Sequence, residues 1–533
     1  MSSDAITEAG NAVMRSAGAG PTQGRFFLVR ASWLTALFVT LVFAVSAFQA
    51  PLQRFDQVAF LDSGGELAVQ DLIRRGYRPT IDFGYQYGLV PLFVDRLWFG
   101  IAGIEPWALR IELMACAVLS AWGMARFAAN RRLGPAGIAL IMLAIPDLIS
   151  VTYMTIIQAL EPALLINALA EQARGRRALA LALVTACCFV KPSLAYFQGL
   201  AVLIAIFAAT RRANSTAWAR ALGPAAVTAV LLGVLLGACF GFLPLMRTIF
   251  PRTGLAVYKL NNYGFFNGNG RDWLYIKGGG LRDYFRYEVG FWILGTIVLS
   301  WGGIAALVRR ARGVSRDDLA INDEVIATCA AVHIAYVLFV FGHRGTWVYS
   351  LPMLILGLAA LGNRGLWHMA IVWGLALLLL FNDRSKAVEI GRRWKTDARS
   401  AVTFGLWASP RERAEWTRAL ELSRGRPTAL LAMCDGGALF TPGIPPPVGA
   451  YFVPGNPVPI EVHRKVQQLE AAEVIISAYP PDWLGFEFWP ELKAAFEGCE
   501  RLEDGPTLWV YRRAAPKMPD STPTLNSGQS PRP

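Results

Sequence analysis

The feature that most limits what this chain can become is an apolar run of bilayer-spanning length, repeated along most of it. The first run covers 31–50. Others follow near 108–128, 134–150, 154–170, 178–195, 197–210, 221–247, 289–308, 324–341, 346–361 and 367–382. A helix needs roughly 20 apolar residues to cross a hydrocarbon core about 30 Å thick. About eleven spans are therefore expected. Every second connection is basic: Arg131 and Arg132, then Arg174, Arg176 and Arg177, then Arg211, Arg212 and Arg220, then Arg309, Arg310, Arg312 and Arg316, then Arg364. Such clusters mark the cytoplasmic side. The same clusters account for the net charge of +13, so the basic balance points to membrane topology and not to nucleic acid.

Residues 1–24 are small and polar and read as a disordered cytoplasmic N-terminus. Arg25 and Arg30 then flank a first span with no convincing cleavage site, which keeps the N-terminus in the cytoplasm. The membrane domain occupies 25–382, and its long loops 51–107 and 248–288 face the other side. Within the first loop, 89–104 is apolar but carries Asp95 and Arg96, the mark of a helix lying in the interface.

From 383 to 515 the sequence changes character. Residues 428–433, 474–477 and 507–511 read as strands, 461–472 and 490–497 as helices, and 445–459 as a proline-dense loop. A disordered tail, 516–533, follows. The expected fold is an all-α polytopic membrane bundle of about eleven transmembrane helices with a small C-terminal periplasmic α/β domain. Cys116, Cys187, Cys188, Cys239 and Cys329 fall in spans, whereas Cys434 and Cys499 lie in the tail, where an oxidising compartment would permit a disulfide.

The loop after the first span, FLDSGGELAVQDLIRRGYRPTIDFGYQYGLVPL from Phe60 to Leu92, concentrates carboxylates, arginines and tyrosines beside the membrane. Ser63-Gly64-Gly65-Glu66 fits a capping box opening a helix that stops at Gly76. Asp62, just before that cap, gains from the helix dipole. Asp82 either caps a turn or shapes a binding site. Tyr85 and Tyr87 alternate, either as interfacial anchors or as stacking platforms. Glu161 lies at membrane depth, where an ionisable group is a functional candidate. Lys191, in Phe189-Val190-Lys191-Pro192-Ser193, either snorkels or grips an anion.

An acidic residue soon after the first span resembles the first outer loop of GT-C superfamily glycosyltransferases. So do the helix behind it, Gly76-Tyr77-Arg78-Pro79, then Ile81-Asp82-Phe83-Gly84-Tyr85-Gln86-Tyr87-Gly88 and Pro91-Leu92. Ala108-Leu109-Arg110, Arg131-Arg132-Leu133-Gly134, Lys191-Pro192 and the stretch GHRGTWVYSLPML around His343 and Arg344 extend the resemblance more weakly. Many such enzymes carry two adjacent acidic residues, whereas Asp62 is followed by Ser63, Gly64 and Gly65.

The resemblance implies inverting transfer of a sugar from a polyprenyl-phosphate carrier to an envelope glycan, lipid or protein at the periplasmic face of a bacterial inner membrane. It makes Asp62 the base. Arg344, Lys191 and His343 would then hold the donor phosphate, with Asp82, Tyr85, Tyr87, Glu66 and Glu161 near the acceptor or the sugar. The 248–288 loop, with Lys259, Tyr263, Arg271, Trp273 and Lys277, suits a lid but equally any solvated glycine-rich segment. A divalent cation held by Asp62 and a second carboxylate is compatible with this set. The alternative is a polytopic transporter or lipid flippase resting on Glu161 and Lys191, although the halves show no inverted repeat. No P-loop and no nucleophile elbow occurs in the sequence.

Overall fold

A computed structural model describes residues 54–144, 155–210, 215–250, 252–260, 289–312, 317–339, 350–453, 455–478, 489–505 and 507–513. The expected first span, most of the 248–288 loop and both termini lie outside them. Among the described residues four helices are long and apolar enough to cross a membrane: Pro106–Arg131, Trp218–Phe240, Gly290–Ala311 and Ile321–Leu338. Shorter apolar helices cover Arg177–Cys187, Ala195–Ile204, Leu351–Arg364 and Leu366–Leu380. Val227, Val230, Leu231 and Val234 stand 58%, 63%, 64% and 69% exposed on one helix. Such an apolar surface suits lipid and not water.

Three boundaries differ from expectation. The segment 178–195 is not one helix: Arg177–Cys187 ends, and a new helix, Pro192–Thr210, starts at a proline. Proline has no N–H to continue a ladder but fits a first turn, so Cys188–Lys191 become irregular. The segment 221–247 breaks at Gly241, whose φ of +93° no ordinary residue adopts comfortably. The last span does not stop at 382; its helix continues as Leu366–Thr396 through a proline-free polar stretch.

One end of the bundle is fastened by buried charge. Glu324 accepts from Arg177 at 2.8 Å and Asp323 from Arg309 at 3.0 Å. Arg364 also reaches Asp323, and Arg126 reaches Glu171. Arg177, Arg309 and Arg364 belong to the clusters that the sequence assigns to the cytoplasmic side. A carboxylate this deep is tolerable only when paired.

The C-terminal unit is a four-stranded sheet in the order β3-β4-β6-β5. β3 (Thr428–Leu431) runs parallel to β4 (Val474–Ser477), and β6 (Trp509–Arg513) pairs antiparallel with both β4 and β5 (Cys499–Asp504). A two-residue pairing of β1 (Ala398–Arg399) with β2 (Trp407–Ala408) precedes it. Helices Pro459–Ala471 and Pro490–Phe496 pack with the sheet through Ala429, Leu431, Leu469, Ile475 and Leu492. β5, reading CERLED, was not expected, because its charges suit only an edge strand. All seven cysteines are free thiols, so Cys434 and Cys499 do not pair; Cys434 is wholly buried against the first loop.

This unit clasps the first loop directly. The Cys434 N–H donates to the Phe60 carbonyl at 3.1 Å. Glu461 accepts from the backbone N–H groups of Gly84 (2.7 Å), Ala450 (3.0 Å) and Val458 (3.2 Å). Phe55, Phe60 and Trp416 form a triangle of rings with centroids 5.4–5.6 Å apart. Gly64 and Gly436 meet backbone to backbone, and a Cβ on Gly436 would strike the Val58 carbonyl oxygen and the Gly64 Cα. Gly436→Ala should therefore cost about 1–3 kcal/mol and free the tail to protease. Gly391→Ala, with nothing within 4 Å of the added carbon, should leave both readouts unchanged or slightly improved. Equal melting and proteolysis of the two variants in detergent would refute the clasp.

Candidate functional site

Asp62 is the first residue of the Asp62–Arg74 helix, and the preceding Leu61 supplies no side-chain cap. The expected capping box is therefore corrected: Ser63 and Glu66 lie inside the helix. Glu66 reaches a different helix instead. Its carboxylate accepts from the Ile156 N–H at 2.8 Å and 3.0 Å, one of the orphan donors in the first turn of Ile156–Ala173. Thr155 caps that helix by accepting from the Gln158 N–H at 3.3 Å. Glu66 thus holds the starts of two helices together. The small Gly65 admits the Tyr451 ring and the Cys434 sulfur on the other side. The end of the first helix is as expected, with Gly76 at φ +88°.

That junction brings six polar side chains into one place. The Gln158 side-chain amide donates to Asp62 Oδ2 at 3.3 Å. Lys191 interacts with both Asp62 and Glu161, and its ammonium lies 5.9 Å from the centre of the Tyr87 ring. Glu161 accepts from the Gln198 amide at 2.9 Å. Lys191 is only 3% exposed.

The irregular Cys188–Lys191 segment is fixed by two backbone bonds, Gly88 N–H to the Val190 carbonyl at 2.9 Å and Val90 N–H to the Phe189 carbonyl at 3.0 Å. Gly88 must be a glycine, since a Cβ there would overlap the Phe189 carbonyl. Tyr87 packs edge-on to Tyr85 (5.7 Å) and Tyr451 (6.0 Å).

The expected residues are therefore not all together. Asp62, Glu161, Lys191 and Tyr87 converge. Tyr85 is 2% exposed and serves as packing for Tyr87. Asp82 caps a turn, accepting from the Arg78 N–H at 2.8 Å. His343 and Arg344 lie outside the described residues. Gln158, Gln198 and Tyr451 were not anticipated. Gln158 carried a signal, because it sits three residues before Glu161 and so shares a helix face with it.

Behind Asp62 lies a buried carboxylate group. The helix Leu89–Ala102 turns Arg96 outward and Asp95 inward, where it is 1% exposed. Asp95 contacts Glu66 and Glu112, and Gln70 donates to its Oδ2 at 3.4 Å. Burial first, and then the neighbouring carboxylates, push Glu66 and Asp95 well above the ordinary carboxylate range. Such a group keeps protons that isolated carboxylates would lose. Asp62 is also raised by burial, although Gln158 and Lys191 oppose the shift. Among the described residues no three His, Cys, Asp or Glu side chains are arranged as metal ligands.

No protein-family model matches the chain, and no curated protein sequence matches it. Among solved structures it is similar to ArnT from Cupriavidus metallidurans in the apo state, at 15% identity over 90% of this chain and 97% of that one, with a TM-score of 0.38. It is also similar to ArnT from Cupriavidus metallidurans bound to undecaprenyl phosphate, at 13% identity over 91% and 98%, with a TM-score of 0.35. Superpositions this loose transfer no residue role.

The carboxylate group predicts a pH dependence. The unfolded chain ionises these groups near pH 4, whereas the folded chain holds their protons to higher pH. Folding therefore binds protons, and the contribution to stability is present at acidic pH and lost as pH rises through the folded values. Asp95→Asn should flatten the decline in melting temperature as pH rises above the unfolded value. The same slope in wild type and variant would refute the shared-proton arrangement.

Proposed function

We propose that the chain is an inverting GT-C type glycosyltransferase that moves a sugar from a polyprenyl-phosphate carrier to an envelope acceptor. The observation that carries this reading is the meeting of a buried ammonium and a raised carboxylate, Lys191 and Asp62, at the end of the bundle opposite the arginine-bound carboxylates. Ile156–Ala173 has 18 residues, about 27 Å at 1.5 Å per residue. Gln158 and Glu171 thus lie near opposite ends of one span. With the basic end cytoplasmic, Asp62 and the C-terminal unit face the periplasm of a bacterial inner membrane, and about eleven spans bring the N-terminus to the cytoplasm.

In this reading Asp62 accepts the proton of an acceptor hydroxyl as its oxygen bonds to the anomeric carbon. The carbon–oxygen bond to the lipid phosphate breaks, and that phosphate leaves with the bonding electrons. Attack opposite the leaving group inverts the anomeric carbon. Lys191 balances the charge gathering on the phosphate, with Arg344 and His343 proposed as further donors. Glu161, held by Gln198, orients Lys191. Gln158 aims Asp62. Tyr87 offers a ring edge beside the ammonium for the sugar, and Asp82 and Glu66 act through the loop they hold in place.

Because the base must be ionised, turnover should rise with pH through an Asp62 value displaced above that of ordinary aspartate. Asp62→Asn should lower transfer about 10²–10⁴-fold and remove that limb. Lys191→Gln should lower it about 10²–10³-fold, the usual loss of one donor to developing charge. The assay is passage of label from polyprenyl-phosphate sugars to an envelope extract by the protein in lipid. Undiminished transfer by the Asp62→Asn variant would sink the mechanism.

A further inference from the structure

Two clefts meet at the seam between the last long helix and the C-terminal unit, and they share one wall. The larger, about 380 Å³, is lined by Arg54, Arg392, Arg393, Asp397, Pro410 and Arg411. The smaller, about 230 Å³, is lined by Arg54, Asp56, Glu412, Phe55, Phe60 and Leu508 among others. Four guanidinium groups and the Asp397 carboxylate line the larger cleft, with Arg54 held by Asp56 and Glu412 and Arg411 by Glu415.

Arg54 is rigidly set, 3.0 Å from Glu412 and 3.1 Å from Asp56. Glu412 is itself fixed by the Ser409 N–H at 2.7 Å, which closes a capping box. The start of the Pro410–Ser423 helix is thus already occupied, and the arginine side chains supply the positive charge of the cleft. Arg411 remains 61% exposed even while paired with Glu415.

The height of the cleft decides what can fill it. Arg392 and Arg393 come eleven and twelve residues after Phe381, where the apolar part of the continuous Leu366–Thr396 helix ends. At 1.5 Å per residue that is about 17 Å along the helix, of which about 6 Å completes a core about 30 Å thick that the 16 residues from Leu366 to Phe381 leave unfilled. The headgroup layer of one leaflet is only about 5–8 Å deep. An ordinary phospholipid headgroup falls short, but an extended headgroup or glycan does not. Guanidinium forks match phosphate oxygens in pairs.

We propose that Arg54, Arg392, Arg393 and Arg411 form a binding site for a phosphate carried on the acceptor above the lipid surface. The attribution to the acceptor rests on the transferase reading, whereas the phosphate site stands without it.

The test uses the full chain in nanodiscs of phosphatidylcholine, with inositol trisphosphate as probe and inositol as the neutral control, followed by calorimetry. The wild type should bind the trisphosphate and not inositol. Arg392→Gln combined with Arg393→Gln should weaken binding at least tenfold and lessen its salt dependence, with an unchanged melting temperature. Asp62→Asn should bind as wild type does, so that a failed transferase reading and a failed phosphate site remain distinguishable. Replacing a third of the lipid by phosphatidylglycerol should leave probe binding unchanged. No binding by the wild type at low salt, equal binding by the double variant, or displacement by phosphatidylglycerol would each overturn the proposal.

Discussion

The architecture depends on backbones approaching more closely than any side chain allows. Gly64 against Gly436, Gly65 against Tyr451, Gly84 against Asn456 and Gly88 against Phe189 press the first loop between the C-terminal unit on one side and the 188–191 break on the other. Each contact fixes a neighbour that matters. Gly64 and Gly65 fix the helix that Asp62 begins, and Gly88 sets the segment that ends in Lys191. A loop beside a membrane is ordinarily the mobile part of a fold. Here it is tightly packed from both sides, which is what a preorganised site requires.

Charge is handled differently at the two ends of the bundle. At the arginine end Asp323 and Glu324 each have guanidinium partners, and the arrangement reads as fastening. At the Asp62 end the carboxylates of Glu66, Asp95 and Glu112 face one another, and Gln70, Gln158 and Gln198 supply amides in place of cations. Lys191 is the ammonium among them. Burying these carboxyls together without cations costs stability that a purely structural joint has no reason to give up. That asymmetry supports placing chemistry at the Asp62 end.

What the sequence made legible was local or periodic. Apolar runs and arginine clusters located the helices, Gly76 ended the first loop helix, and the two all-buried strands of the tail read as strands. The errors came from partners far along the chain. Glu66 looked like a cap residue because its true partner, Ile156, is 90 positions away. The β5 strand looked like loop because its charges point to solvent at a sheet edge. Tyr451 lay in a proline-dense stretch with nothing local to link it to Tyr87. Asp62 and Lys191 were visible because charge beside apolar sequence is conspicuous, whereas Gln158 and Gln198 carry no charge to draw notice.

The C-terminal unit is too tightly bound to be an appendage. Glu461 spends its carboxylate on Gly84 of the first loop as well as on its own Ala450 and Val458. Burial raises that carboxyl to about 7, above the ordinary glutamate value, against the pull of these three donors. Its bond to Gly84 ties the tail to the loop that follows the Asp62 helix. A phosphate held at Arg411 and a hydroxyl presented to Asp62 would keep a fixed separation without a closing lid, and the reach of the acceptor between them would select the substrate.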